Sequence, residues 1–565
     1  MTQTRHSTPV DAVAEQHVAR LAELSPQFAV GAGLPGRRGD LDDYSPAGRE
    51  AVTELHRATL RALDQAQPSD PVDEVTIAAM RERLGIEVEL AEAGETLRHL
   101  DNIASPVQEL RDCFDNLPVA SEQDWADFAS CLRAVPRALE QYADGLRLAR
   151  SRGQVAAQRQ VRAALAQAQD QVGADCSYRA LVDAASVAGQ PLPTSLAADL
   201  AAGLEAAQAG YARLVQTLTD EILPAAGKTD GVGAERYRRF SRSFLGAEVD
   251  LDETYEWGRE RLAAIDAEQR VIAEQLYGTG TTVQQAMDRL NADPARTLHG
   301  TDALQAWMQQ TSDAAIAALD GVHFDIPEPL RTLECRIAPS QTGGIYYTEP
   351  NDDFSRPGRM WWSVPAGTTD FATWQERTTV FHEGVPGHHL QCGTQVYLRD
   401  QLNSWRRLAC WVSGHGEGWA LYAEQLMADL GFHEDPGDRM GVLDSQRLRA
   451  ARVVVDIGVH LGKPRPTEVV ALPGVGEGRW DYDSAWAFLR HNVAMPEASL
   501  RFELDRYLGW PGQAPSYAVG QRLWEQARDQ ALAAGSSLKD FHSRALALGS
   551  VGLDVLRQAL AGRPG

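Results

Sequence analysis

The sequence predicts a mainly α protein with a small β-sheet set into it. Three observations carry this reading. From about residue 45 to 325, apolar residues recur at three- and four-residue spacing in segments rich in Ala, Leu, Gln, Arg and Glu. Between about 331 and 365 the texture changes to RTLECRIAPSQTGGIYYTEPNDDFSRPGRMWWSVP, dense in aromatic, β-branched, Gly and Pro residues, which reads as two or three short strands joined by turns. After Thr368 the helical spacing resumes and runs to about Leu560, broken by Gly/Pro loops near 433–437, 462–478 and 509–515.

Taken in order, residues 1–40 form an N-terminal arm. It holds one amphipathic helix from Val10 to Leu24, followed by the breaker-rich GAGLPGRRGDLDDYSP. Residues 41–330 form a helical lobe, with the clearest helices at 123–150, 154–172, 194–222 and 251–276. Start signals stand at Ser121, ahead of Glu122 and Asp124, and at the acidic pair Asp252 and Glu253. Residues 331–565 form the lobe that carries the chemistry, and the two lobes are expected to pack as one unit. No fixed-period repeat points to a solenoid.

Composition narrows the function classes. The 565 residues are 44% hydrophobic and 23% charged, enough for a large core. A formal charge of −24 argues against nucleic acid and against an anionic membrane surface as partners. The opening MTQTRHSTPVDAVAEQHVARL has no apolar h-region, and no stretch approaches the roughly 18–20 apolar residues of a membrane span. Six cysteines, at 113, 131, 176, 335, 392 and 410, stand without a CxxC or regular spacing, as in a reducing compartment. A cytoplasmic location is expected.

The chemistry-bearing segment is TTVFHEGVPGHHLQ, residues 378–391. A zinc helix ordinarily sets two histidines at i and i+4 on one face, with a Glu between them placed to take a proton from the attacking water. Here the spacing differs. On an ideal helix His388 lies about 240° around from His382, and His389 faces correctly but roughly 10 Å further along. Pro386 cannot bond to the carbonyl of His382 and Gly387 permits unusual angles, so a bulge of two residues is expected, returning His388 to an effective i+4 position. His389 then points away, as a supporting or substrate-facing group. The third ligand is expected from a neighbouring helix: Glu417 in GHGEGWALYAEQL, with Glu424 seven positions on and behind it. Glu383 is the expected general base and Zn²⁺ the expected ion.

These segments resemble the bacterial DUF885 family, whose hallmark is an HE-x-x-PGHH segment followed by an EGWALYAE-like one. The likeness runs from about residue 40 to 555. It is carried by YY at 346–347, SRPG at 355–358, HEGVPGHH at 382–389, EGWALYAE at 417–424, RVVVDIGVH at 452–460 and RYLGWPGQAPSYAVG at 506–520. Such proteins look like relatives of the helical gluzincin oligopeptidases of the thimet and angiotensin-converting type. The resemblance therefore implies a large zincin-like fold with a sheet beside the active site and a deep channel. Aligning GH with GH carries the second ligand onto His388, and the E-x6-E pattern carries the third onto Glu417.

Further site residues follow from spacing and resemblance together. Arg452, Asp456 and His460 fall on one helical face. They form either a surface ion-pair ladder or an Asp456-oriented His460 that stabilises an oxyanion, and the resemblance favours the second. Tyr517 is the expected phenol donor to the same oxyanion. The strand bearing Tyr346 and Tyr347 is expected to offer its edge to an extended peptide, and Arg356, with Arg359, a pairing site for a carboxylate terminus. The expected function is zinc-dependent hydrolysis of amide bonds in short peptides or peptide-like substrates. The alternatives are a zinc hydrolase or lyase acting on a small biosynthetic amide, and a non-catalytic helical binding protein.

Overall fold

The computed structural model describes residues 5–174, 176–340 and 344–561. Gly343, at the head of the GGIYYTEP segment, lies outside the described residues. The protein is mainly helical with small sheets.

The arm packs against the body of the protein. Its helix Pro9–Leu24 starts on a capping box between Thr8 and Asp11. Val10, Ala14 and Val18 enter the main core. Arg5 fastens it by donating to Asp11 (2.7 Å) and Asp70 (2.6 Å). The four helices singled out in the sequence stand at Glu122–Ser151, Gln158–Asp170, Thr194–Thr217 and Leu251–Tyr277. Ser121 caps the first, as its sequence signal predicts. The last is capped by Asp250, and the acidic pair Asp252 and Glu253 occupies its first turn, where the positive end of the helix dipole favours carboxylates.

Three apolar cores organise the chain. The largest gathers side chains from Val10 to Leu560. A second is confined to the helices between Leu100 and Ile222, with Tyr44 added. A cavity of about 410 Å³ opens where residues of these two regions meet, lined by Leu90, His99, Arg236 and Trp510 among others, and the predicted metal ligands do not line it. The third core lies under the sheet: Leu333, Cys335, Met360 and Trp362 pack on Leu304, Met308 and Val380.

That sheet comprises Leu333–Ile337, Gly358–Trp362 and Ile345–Thr348. The middle strand in space is Gly358–Trp362, parallel to the first and antiparallel to the other. Ile345–Thr348 is thus a sheet edge. Because Val380 belongs to the helix Thr373–Glu383, burial of one sheet face fixes the helix that carries His382 and Glu383.

The helices Ser413–Asp429 and Ser516–Ala533 cross at unusually short range. A Cβ on Gly418 would lie 2.5 Å from the carbonyl carbon of Gly520, and one on Gly520 would lie 2.3 Å from the Gly414 carbonyl oxygen. Only glycine lets these backbones meet, and their meeting brings Glu417 and Tyr517 to the same place. Trp419 and Trp524, both fully buried with ring centroids 5.0 Å apart, close the contact. Burying each contributes on the order of 1.5–3 kcal/mol or more.

Candidate metal centre

The helix bearing the His-Glu pair does not bulge and continue, as the sequence reading expects; it ends. Thr373–Glu383 stops at Gly384, a cis Val385–Pro386 bond follows, and a new helix, His388–Tyr397, begins immediately after Gly387. The physical reason is that Pro386 has no N–H to continue the ladder and both flanking glycines take non-helical angles. The Gly387 N–H bonds back to the Phe381 carbonyl (3.1 Å), and Trp419 donates to the Pro386 carbonyl (2.9 Å), so the break is itself held in place. A Cβ on Gly387 would lie 1.9 Å from the His382 carbonyl oxygen, so no other residue fits there.

The break achieves what a bulge was expected to do. His382 and His388 face each other with ring centroids 5.0 Å apart and planes at 88°. Their Nε2 atoms stand 3.5 and 3.7 Å from Glu417 Oε2. The three ligand atoms lie within 4.8 Å of one another. A tetrahedral ion with bonds of about 2.0–2.1 Å separates its ligand atoms by roughly 3.3–3.5 Å, so this nitrogen, nitrogen, oxygen set fits zinc with small adjustment.

Glu424 stands one step behind. Its Oε1 accepts from His382 Nδ1 (2.7 Å), which turns the Nε2 end of the ring toward the centre. Its other oxygen accepts from Thr378 (2.5 Å) and Ser445 (3.0 Å), two partners that no motif announced. Glu383 is buried, with Oε2 unpartnered among the described residues. His388 Nδ1 is likewise buried and unpartnered.

The electrostatics follow from this packing. Burial opposes a charge on His382, yet its bonds to Glu417 and Glu424 and the nearby Glu383 carry its pKa up to about 10. Burial opposes the Glu417 carboxylate too, but the two histidines hold it far below the usual range. Burial pushes the Glu383 carboxyl up, with His388 and His382 pulling the other way and Glu417 adding to the rise. The centre is therefore a buried cluster of carboxylates that calls for positive charge.

His389 points away from it. Its Nε2 donates to the Leu330 carbonyl (2.9 Å) and its Nδ1 bonds to the Tyr347 hydroxyl (3.0 Å). Burial lowers its pKa to about 4, so the ring is neutral. Tyr347 thus braces His389, and Gly358 of the SRPG turn makes room, since a Cβ there would lie 2.4 Å from the Tyr347 hydroxyl. Tyr346 is exposed and stacks on Trp361. Arg356 donates to the Glu349 carbonyl (2.7 Å) and Arg359 pairs with Glu334 (2.8 Å). Both arginines are engaged within the protein, which makes them corner and sheet fastenings.

The predicted Asp456–His460 pair does not form. Both side chains are buried, so the alternative of a surface ion-pair ladder fails as well. Asp456 Oδ1 accepts from Tyr237 (2.6 Å) and from the Gly512 N–H (3.0 Å), while His460 Nε2 donates to the Tyr507 carbonyl (3.0 Å). Tertiary partners outcompete the neighbour one turn away. Tyr517 is half-buried, and burial and the Glu417 carboxylate raise its pKa while Arg506, Arg452 and Arg449 pull it down.

Comparison with known proteins agrees with the fold. The chain is similar over 98% of its length, and 98% of the other chain, to "the putative lipoprotein from Colwellia psychrerythraea", with a TM-score of 0.82 at 21% identity. It is similar over 99% of its length, and 100% of the other chain, to "a putative lipoprotein of unknown function from Shewanella oneidensis", with a TM-score of 0.74 at 16% identity. No curated protein matches. The model of the bacterial proteins of unknown function called DUF885 matches residues 26–560, and the chain belongs to that family.

Proposed function

We propose that the protein is a zinc-dependent hydrolase of the gluzincin kind that cleaves amide bonds in short peptides or peptide-like substrates. The observation that carries this reading is the convergence of His382, His388 and Glu417 beside Glu383, a buried carboxylate whose Oε2 has no partner among the described residues. A purely structural zinc site is ordinarily closed by four Cys or His ligands and has no use for such a group.

Zinc held by the three ligands would supply Lewis acidity to the scissile carbonyl and to water. Glu383 takes the proton of the attacking water and returns it to the leaving amine, a role suited to a carboxyl whose pKa burial has raised. Glu424 fixes the His382 tautomer. The Tyr517 hydroxyl, brought beside Glu417 by the Gly418–Gly520 crossing, donates to the carbonyl oxygen as charge develops on it. The edge strand Ile345–Thr348 offers main-chain hydrogen bonds to an extended substrate without demanding a sequence.

No helix among the described residues is long and apolar enough to cross a membrane. All six cysteines are unpaired, which supports a reducing, cytoplasmic location. The test is metal analysis of the purified protein and of His382→Ala, joined to mass-spectrometric digestion of a mixed peptide library. Zinc and cleavage in the first and neither in the second are expected; a wild type without metal or cleavage would overturn the reading.

A further inference from the structure

One face of the helix Pro436–Leu461 runs alongside the metal centre and carries, at successive turns, Ser445, Arg449, Arg452 and Asp456. Ser445 touches Glu424. One turn on, Arg449 donates weakly to the Ser445 carbonyl (3.3 Å), and its Nε is buried with no partner among the described residues. Asp444, the nearby carboxylate whose charge Arg449 feels, is engaged by Gln375. Next comes Arg452, 7% exposed, whose guanidinium lies 5.2 Å from the Tyr517 ring centroid. It donates to the Tyr507 hydroxyl (2.7 Å) and to Glu503 Oε2 (2.7 Å), and Nη1 has no hydrogen bond among the described residues. From the helix Glu497–Gly509, Arg506 reaches the same Glu503 oxygen at 3.4 Å. It is 9% exposed, with Nε and Nη2 buried and making no hydrogen bond among the described residues.

Two guanidinium groups, those of Arg452 and Arg506, therefore share one carboxylate, Glu503, and Arg449 stands one turn before Arg452 on the same helix face. Glu424, an acid whose charge Arg449 feels, is already committed to His382, Thr378 and Ser445. Tyr517 is near both groups: its ring centroid lies 5.2 Å from the Arg452 guanidinium, and it feels the charge of Glu417 as well as those of Arg506, Arg452 and Arg449. Desolvated guanidinium with unused N–H groups is costly unless an anion supplies the acceptors, and the planar fork of arginine matches a carboxylate in particular.

We propose that the substrate of this site carries a free carboxylate, received by Arg449, Arg452 and Arg506 beside Tyr517. The proposal rests on the hydrolase reading for its substrate class, but its geometry is a property of these residues alone. The carboxylate is either the C-terminus of the peptide or an acidic side chain near the scissile bond.

The experiment is calorimetric titration of zinc-loaded Glu383→Gln protein, which binds without turnover, with three probes: N-acetyl-trialanine, its C-terminal amide, and the amide of N-acetyl-Ala-Glu-Ala. At least one of the two acids is expected to bind about tenfold or more tightly than trialanine amide, as charge-assisted bonds would give. Preference for the first acid assigns the C-terminus, and preference for the second assigns the side chain. Arg449→Gln and Arg506→Gln, each checked for zinc content and circular dichroism, are expected to abolish the preference. Arg452 is a poorer probe because it also holds Tyr507 and Glu503. Equal binding of all three probes, or a preference that survives both substitutions, overturns the proposal. A carboxylate preference in a protein that cleaves no peptide would instead leave this site standing and remove the hydrolase reading.

Discussion

The short helix His388–Tyr397 has two faces that differ in one respect. On the sheet side, His389 has both ring nitrogens bonded, to the Leu330 carbonyl and the Tyr347 hydroxyl. On the metal side, one residue away, His388 Nδ1 and Glu383 Oε2 are buried with no partner among the described residues. A buried polar group left unbonded costs on the order of 1–3 kcal/mol, so a fold that leaves several together has reserved them for something else. On this stretch the fully bonded histidine belongs to the scaffold, and the unbonded groups face the candidate metal site.

The largest expected effect lies on the unsatisfied side. Glu383→Gln keeps the shape of the side chain but cannot take a proton, so turnover should fall by roughly 10²–10⁴ with zinc content unchanged. Steady-state kinetics with parallel metal analysis measures both, and wild-type turnover in this variant would remove Glu383 from its role.

Asp456 sharpens the comparison from a different position, because both of its hydrogen bonds reach Oδ1 while Oδ2 is buried and unpartnered. Burial carries its pKa from 3.8 to about 7. Between those values the folded protein holds a proton that the unfolded chain has released, so this group's contribution to stability falls as pH rises from about 4 through 7. Asp456→Asn keeps the acceptor oxygen and abolishes the ionisation. It should match the wild type near pH 4 and exceed it by up to about 4 kcal/mol near pH 8, read by denaturant melts at both. An equal difference at the two pH values would refute the assignment.

Tyr517→Phe removes a hydroxyl from the catalytic side alone. A drop in kcat of about a hundredfold is expected, with zinc affinity retained. Unaltered kinetics would make Tyr517 a packing residue.

The smallest expected effect distinguishes the two histidines directly. His388→Ala should lose zinc in a titration and change the stability of the metal-free protein little. His389→Ala should bind zinc like the wild type while losing about 1–3 kcal/mol of stability through its two broken bonds. The reverse pattern would exchange their roles.

Much of the architecture is legible in the sequence because helix and strand are local. The four helices singled out in the sequence, the Ser121 cap and the three strands between 331 and 365 stand where apolar spacing and turn residues place them. The residues of the candidate site stand out in the sequence too, because His382, Glu383, Pro386, Gly387 and His388 stand together at a peculiar spacing. What misleads is any inference from one helical face alone. Asp456 and His460 are correctly spaced to pair and do not, because Tyr237 and Gly512 reach the acid and the Tyr507 carbonyl reaches the histidine.

The sequence by itself determined the helical class, the inserted sheet and a departure from regular helix at Pro386, all of which follow from backbone stereochemistry and side-chain identity within a few residues. Only the tertiary structure decided that the break splits one helix into two, that Ser445 and Thr378 hold Glu424, that His389 braces the sheet through Tyr347, and that Arg452 and Arg506 share Glu503. Those outcomes depend on which groups, up to some fifty residues apart in the chain, compete for the same buried donor or acceptor, and such competition has no signature at any single position.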